Sequence, residues 1–199
     1  MKVRARNSFF LSPVFVVFWA AVSPSLAATV HVYGGAFNLP IPADTGSNIG
    51  PMDDALVEVT EHLTIVDLDV AIDINHTGIF DLQIMLQGPG GQQILLNAYY
   101  DINDFFEGAD YSQTVFDDEA AVAIEQGLAP FTGRFRPQSP NALSEFDGTD
   151  PFGIWRLKID DLYHDDSGYL ESFELMITVP EPATFVLFAL VAGLLRRRN

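Results

Sequence analysis

The sequence predicts an all-β domain, a sandwich of two packed sheets, flanked by a hydrophobic segment at each end. Runs of apolar and polar residues alternate with period two. Glycine, proline and aspartate clusters punctuate those runs, and only one stretch reads as helix. Many short strands with little helix pack as sheet on sheet. Cysteine is absent, so the domain relies on its core or on a bound metal for stability.

The elements follow in order. Thr29 to Tyr33 and Ala55 to Val59 are the first strand candidates. From Ile65 to Asn75, Val66, Leu68, Val70, Ile72 and Ile74 alternate with Asp67, Asp69, Ala71, Asp73 and Asn75. This predicts a long strand with one buried and one wet face. Leu82, Ile84 and Leu86 repeat the alternation, and Gly88-Pro89-Gly90-Gly91 then turns the chain into Gln92 to Asn97, a hairpin. Asp118 to Gln126 predicts one short helix with Asp117 as N-cap. Otherwise Tyr99 to Asp150 has weak periodicity and is expected to carry loops across one end of the sandwich. Trp155, Leu157 and Ile159 face one way, Arg156, Lys158 and Asp160 the other. Phe173, Leu175 and Ile177 repeat this after a turn at Asp165-Asp166-Ser167-Gly168, and the two segments are expected to pair.

Both ends read as addresses. Lys2, Arg4 and Arg6 precede an apolar run from Phe9 to Val22, and Ser25-Leu26-Ala27 offers small residues for a signal peptidase, with cleavage after Ala27. At the other end, Pro180-Glu181-Pro182 precedes an apolar stretch from Ala183 to Leu195 and the cluster Arg196, Arg197, Arg198. The stretch is shorter than the ~20 residues that span a bilayer comfortably, and length alone would favour a buried helix. The arginines, which resist translocation, and the extended proline box decide for a short transmembrane segment. This order resembles the PEP-CTERM sorting signal of substrates processed by exosortases. The resemblance implies export, transient anchoring and delivery to the cell envelope or extracellular matrix. The expected organisation is a signal peptide at 1–27, an N-terminal strand and linker at 28–54, the main domain at 55–179 and the sorting signal at 180–199.

Setting both ends aside changes the charge balance. Of 27 acidic residues only Glu181 lies outside 28–180, whereas only Arg134, Arg136, Arg156 and Lys158 of the ten basic residues lie within it. So acidic a surface repels nucleic acid and anionic lipid and favours cations. Contact with membrane is expected only through the terminal segments.

The interior motifs carry a second resemblance. Ile74-Asn75-His76-Thr77, then Asp81 to Leu86 and Gly88-Pro89-Gly90-Gly91, are similar to the first half of the P domain, also called P/Homo B. Val115 to Ala120, Pro130 to Pro137, Leu143 to Gly148, Gly153 to Asp161 and Gly168 to Ile177 are similar to its centre and closing strands. The chain departs from the pattern at Ile79-Phe80 and at Phe173, where Trp is common. The resemblance implies a jelly-roll sandwich like the galactose-binding domains. In kexin- and furin-like enzymes this module follows a subtilisin-type serine protease and stabilises it. Only Ala28 to Ala55 lies upstream here, so the expectation is a P domain without its own protease.

Catalysis in this chain is not expected. His31, His62, His76 and His164 are its histidines, no Gly-x-Ser-x-Gly elbow surrounds a serine, and no thiol exists. Calcium is the better chemical candidate, since it takes hard oxygen ligands and is available outside the cell. Asp117-Asp118-Glu119 offers one cluster, and Asp160, Asp161, Asp165 and Asp166 bracket the final turn, with Asp81 free to join one of them in space. None has EF-hand spacing. Tyr99, Tyr100, Phe105, Phe106 and Tyr111 are aromatics that suit sugar stacking or a core. Two functions stay open: an exported structural or binding module for polysaccharide or protein, and an accessory domain of a separately encoded protease.

Overall fold

In a computed structural model, residues 28–98 and 108–181 are described. The strands are β1 (Ala28–Ile41), β2 (Gly50–Pro51), β3 (Ala55–Val59), β4 (Asp67–His76), β5 (Leu82–Gln87), β6 (Gln93–Asn97), β7 (Tyr111–Phe116), β8 (Phe131–Phe135), β9 (Gly153–Asp161) and β10 (Gly168–Pro180). One sheet has the order β1-β10-β4-β7-β8 and the other β2-β9-β5-β6, with β3 also on β9. All pairs are antiparallel except β7 with β8. The result is an all-β jelly-roll sandwich.

Period two puts the apolar faces together. Leu68, Val70, Ile72 and Ile74 of β4 and Phe173, Leu175 and Ile177 of β10 face Leu82, Ile84 and Leu86 of β5 and Trp155, Leu157 and Ile159 of β9 in one buried cluster. Each fully buried side chain of this size contributes about 1.5–3 kcal/mol of transfer free energy. Val66, counted in the alternating run, lies just before β4 and is exposed.

Three expectations are corrected. β9 and β10 do not pair: the loop 162–167 carries the chain from one sheet to the other. No helix spans Asp118 to Gln126; a single 3-10 turn covers Ile124–Gln126. Asp117, expected to cap that helix, is held instead by Arg134 Nε at 2.5 Å. The region expected to be loops contains β7 and β8, and 117–130 is the crossover that their parallel pairing requires.

The sandwich has two distinct ends. Ala28 pairs with Pro180 and Thr178 with Asp67, so β1 begins and β10 finishes at the same proximal end. Ile41, Gly168, His76 and Asp161 lie at the distal end. Both proposed membrane-directed segments, 1–27 and 183–195, therefore join the domain proximally. They lie outside the described residues, among which no helix is long and apolar enough to cross a membrane.

Candidate functional site

The distal tip gathers the buried polar groups. β4 delivers His76 at its last position, a 3-10 turn at Ile79–Asp81 follows, and β9 ends on Asp161 before the loop bearing Asp165 and Asp166. His76 and Asp161 side chains are wholly buried, with Nε2 and Oδ2 3.4 Å apart. Neither atom has a hydrogen-bond partner at that geometry. The Gly78 N–H donates to His76 Nδ1 at 3.2 Å, which leaves the ring proton on Nε2, turned towards Asp161. Asp161 Oδ1 accepts from Tyr163 N–H at 3.2 Å, and Asp110 Oδ1 accepts from His76 N–H at 3.0 Å.

Two further carboxylates close on this pair. Thr77 Oγ1 donates to Asp166 Oδ1 at 2.5 Å. Asp166 Oδ2 and Asp81 Oδ2 flank Gly78, where an added Cβ would sit 2.6 Å from each. Only a residue without a side chain leaves this cradle open. Burial, then the negative charges of Asp166 and Asp161, push the Asp81 carboxyl up to about 6, with His76 partly opposing. Four acids, Asp81, Asp110, Asp161 and Asp166, and among the described residues no lysine or arginine paired with them, leave the tip short of positive charge.

The sequence-predicted site residues separate accordingly. Asp81, Asp161 and Asp166 come together at the tip. Asp160 alternates to the outer face and Asp165 is exposed beside His164. Asp117 and Asp118 stand at the proximal end with structural partners. Burial pushes the Asp117 carboxyl up, but hydrogen bonds from Arg134 and the Glu119 backbone hold it below its ordinary value. Arg134 also pairs with Asp69. Asp118 accepts from the backbone N–H groups of Leu143 and Ser144 at 2.9 and 2.8 Å. Among the described residues no group of three or more acidic or histidine side chains is placed to hold a metal ion.

Sequence reasoning missed His76 and Gly78. Strand parity was the available signal: with Trp155, Leu157 and Ile159 inward, Asp161 also points inward and Asp160 does not. Of the candidate sugar-stacking aromatics, Tyr99, Tyr100, Phe105 and Phe106 lie outside the described residues. Tyr111 is core, stacked on Phe131 at 5.1 Å and accepting from Asn97 Nδ2 at 2.6 Å.

The raised Asp81 value has a measurable consequence. A carboxyl whose folded pKa exceeds its unfolded one binds its proton more tightly when folded, so stability falls as pH rises from about 3.8 towards 6. In calcium-free buffer, Asp81→Asn should melt higher than the wild type at pH 7.5 and equal to it near pH 3.5. An equal difference at both pH values would show that Asp81 carries no such penalty.

Known families and solved structures resemble parts of this chain. The proprotein convertase P-domain matches residues 65–177, and the PEP-CTERM protein-sorting motif matches 178–199. A crystal structure of the serine protease of Aeromonas sobria aligns at 14% identity and TM-score 0.44, covering 80% of this chain and 28% of that one. The complex of that protease with the chaperone ORF2 aligns at 16% and 0.44, covering 79% and 28%. The chain thus spans just over a quarter of the length of these structures. No curated protein matches it significantly. The sorting motif marks an exported protein anchored at the cell envelope by its C-terminal segment. The other match takes in more than half of the sequence, from the approach to β4 almost to the end of β10, and the chain belongs to the proprotein convertase P-domain family.

Proposed function

We propose that this chain is a non-catalytic P-domain module that is sorted to the cell surface or matrix, where it acts as a structural or binding protein. The observation that carries the reading is the junction at residues 177 and 178, where a P domain passes directly into a sorting motif. The histidines support it. His31 faces Glu61, His62 faces Asp150, His164 faces Asp165 and His76 faces Asp161. No hydrogen bond among the described residues joins a histidine to a serine or threonine hydroxyl, the contact that nucleophile activation needs. With both terminal segments proximal, the anchored domain presents its distal tip outward. A serine-directed fluorophosphonate probe should leave surface-extracted protein unlabelled, while the protein co-sediments with the polysaccharide matrix. Labelling would overturn the non-catalytic reading. Co-purification with a labelled subtilisin-like protease would favour the accessory role instead.

The tip is the proposed calcium site. Asp81 and Asp166 would supply the first ligands, the unpartnered Oδ2 of buried Asp161 lies beside them, and backbone carbonyls and water would complete the set. A divalent ion would relieve the crowding of negative charge that raises the Asp81 pKa. Calcium should therefore raise the melting temperature over that in chelator, by an amount that grows with its concentration. Asp166→Asn should abolish the shift. No shift in the wild type would remove calcium from the reading.

A further inference from the structure

Strand β1 lies upstream of the residues that the family match covers. The matched P domain begins at residue 65, yet β1 (Ala28–Ile41) lies upstream of it and covers β10 from end to end. The matched sorting motif starts at residue 178, inside β10, which continues to Pro180. The motif's first three residues are therefore ladder residues: Thr178 faces Val30, Val179 faces Thr29 and Pro180 faces Ala28.

The loop between β3 and β4 fastens β1 at this point. Tyr33 Oη donates to Glu61, and the same carboxylate lies 3.5 Å from His31 Nδ1. Burial and Glu61 push the Tyr33 hydroxyl up to about 12, so it remains a donor throughout the working pH range. Thr29, His31, His62, Leu63, Val179 and Pro180 line an open hollow of about 360 Å³ beside the box. Residues 28–30 themselves are exposed and make the outermost pairs of an edge strand. Such pairs open at the low end of the local-unfolding scale, without loss of the core.

We propose that the β10 edge at Thr178–Pro180 is the docking surface for the envelope enzyme that processes the sorting motif, and that the first residues of β1 cover it. Displacing Ala28 to Val30 exposes an extended segment whose Val179 N–H and C=O face outward, the Thr178 carbonyl being held by the Val66 N–H and Pro180 having no N–H to offer. An enzyme that reads its substrate as an added strand binds such a segment. Processing is then set by two structural features, the pairing at Val30 and Thr178 and the latch at Glu61. This rests on the sorting reading.

The test uses the full chain in its native host. The sequence has no cysteine, so Val30→Cys with Thr178→Cys, both on the outer face, has no competing thiol. Pulse–chase should show the oxidised pair processed at least tenfold more slowly than the reduced pair or either single-cysteine chain. Glu61→Ala, an exposed change, should speed processing several-fold at unchanged melting temperature. Equal rates for oxidised and reduced pairs, or no acceleration by Glu61→Ala, would overturn the docking proposal while leaving sorting intact. No processing in any form would overturn both.

Discussion

Replacing Trp155 by alanine should cost about 3–5 kcal/mol, the range for a fully buried aromatic, and lower the melting temperature by roughly 10 °C. Trp155 has no exposed surface and is the largest fully buried side chain. It sits in the middle of β9, which pairs with β3 on one side and β5 on the other. Its ring meets Phe146 edge-on at 4.8 Å, and its Nε1–H donates to the Pro151 carbonyl at 2.8 Å. The substitution thus opens a cavity and strips a buried carbonyl of its donor at once. Trp155→Phe separates the two: it keeps most of the apolar contact, and the lost hydrogen bond should cost about 1–3 kcal/mol. Urea unfolding reads both. A Trp155→Ala protein as stable as Trp155→Phe would show that the ring's volume is not what holds the β9 layer in place.

The strands legible in the sequence are those with one uninterrupted buried face. β4, β5, β9 and β10 alternate without a break over their central residues, and each was read in the correct phase. β7 was not, because Gln113 takes a positive φ of 51° and the register shifts between Ile72 and Ile74 opposite it. A bulge of this kind resets the period-two pattern within six residues. β8 carries Gly133 at φ 99° in its middle, with the same effect on so short a run. The false pairing of β9 with β10 has another cause. Alternation reports which side chains face the core, and both strands face the same core from opposite sheets. Nothing in either segment distinguishes the two arrangements. The supposed helix after Asp117 failed through competition: Ala120, Ala123 and Ile124 are buried, as an amphipathic helix would have them, but the chain there is the extended crossover between β7 and β8.

The tip shows the same division between local and global information. Asp81, Asp161 and Asp166 were each recognisable as acids at strand ends or turns, where carboxylates commonly sit. Their convergence depends on β5 pairing with β9 and β4 with β10, contacts that bridge about eighty residues and leave no local trace. The strong acidity of the domain also hid the site. With 26 acids to choose from, composition cannot separate three that crowd together from those that coat a wet surface.

Gly168→Ala should be among the most damaging single methyls added to this protein. Gly168 was expected to serve the turn that precedes β10, yet it is not among the glycines with positive φ. Its constraint is proximity: an added Cβ would fall on the Asn75 carbonyl oxygen and within 2.7 Å of both His76 Cα and the His76 ring. Two of these contacts are backbone atoms of the central strand β4, which cannot yield as a flexible side chain would. β10 must therefore lift from β4 at their distal end. Overpacking of this kind costs about 1–3 kcal/mol, and lifting the strand also disturbs the His76 and Asp161 pair, whose separation leaves buried polar groups without company. The combined loss should approach that of Trp155→Ala, but its distribution should differ. Hydrogen exchange should accelerate at the Asn75 and Tyr169 amides, which pair across β4 and β10, while the amides of β9 around Trp155 stay protected. Asp81 and Asp166 should lose their fixed spacing, and with it the pH-dependent difference between wild type and Asp81→Asn. A Gly168→Ala protein with unchanged exchange at Asn75 would show that β4 and β10 do not approach as closely at the tip as this structure has them.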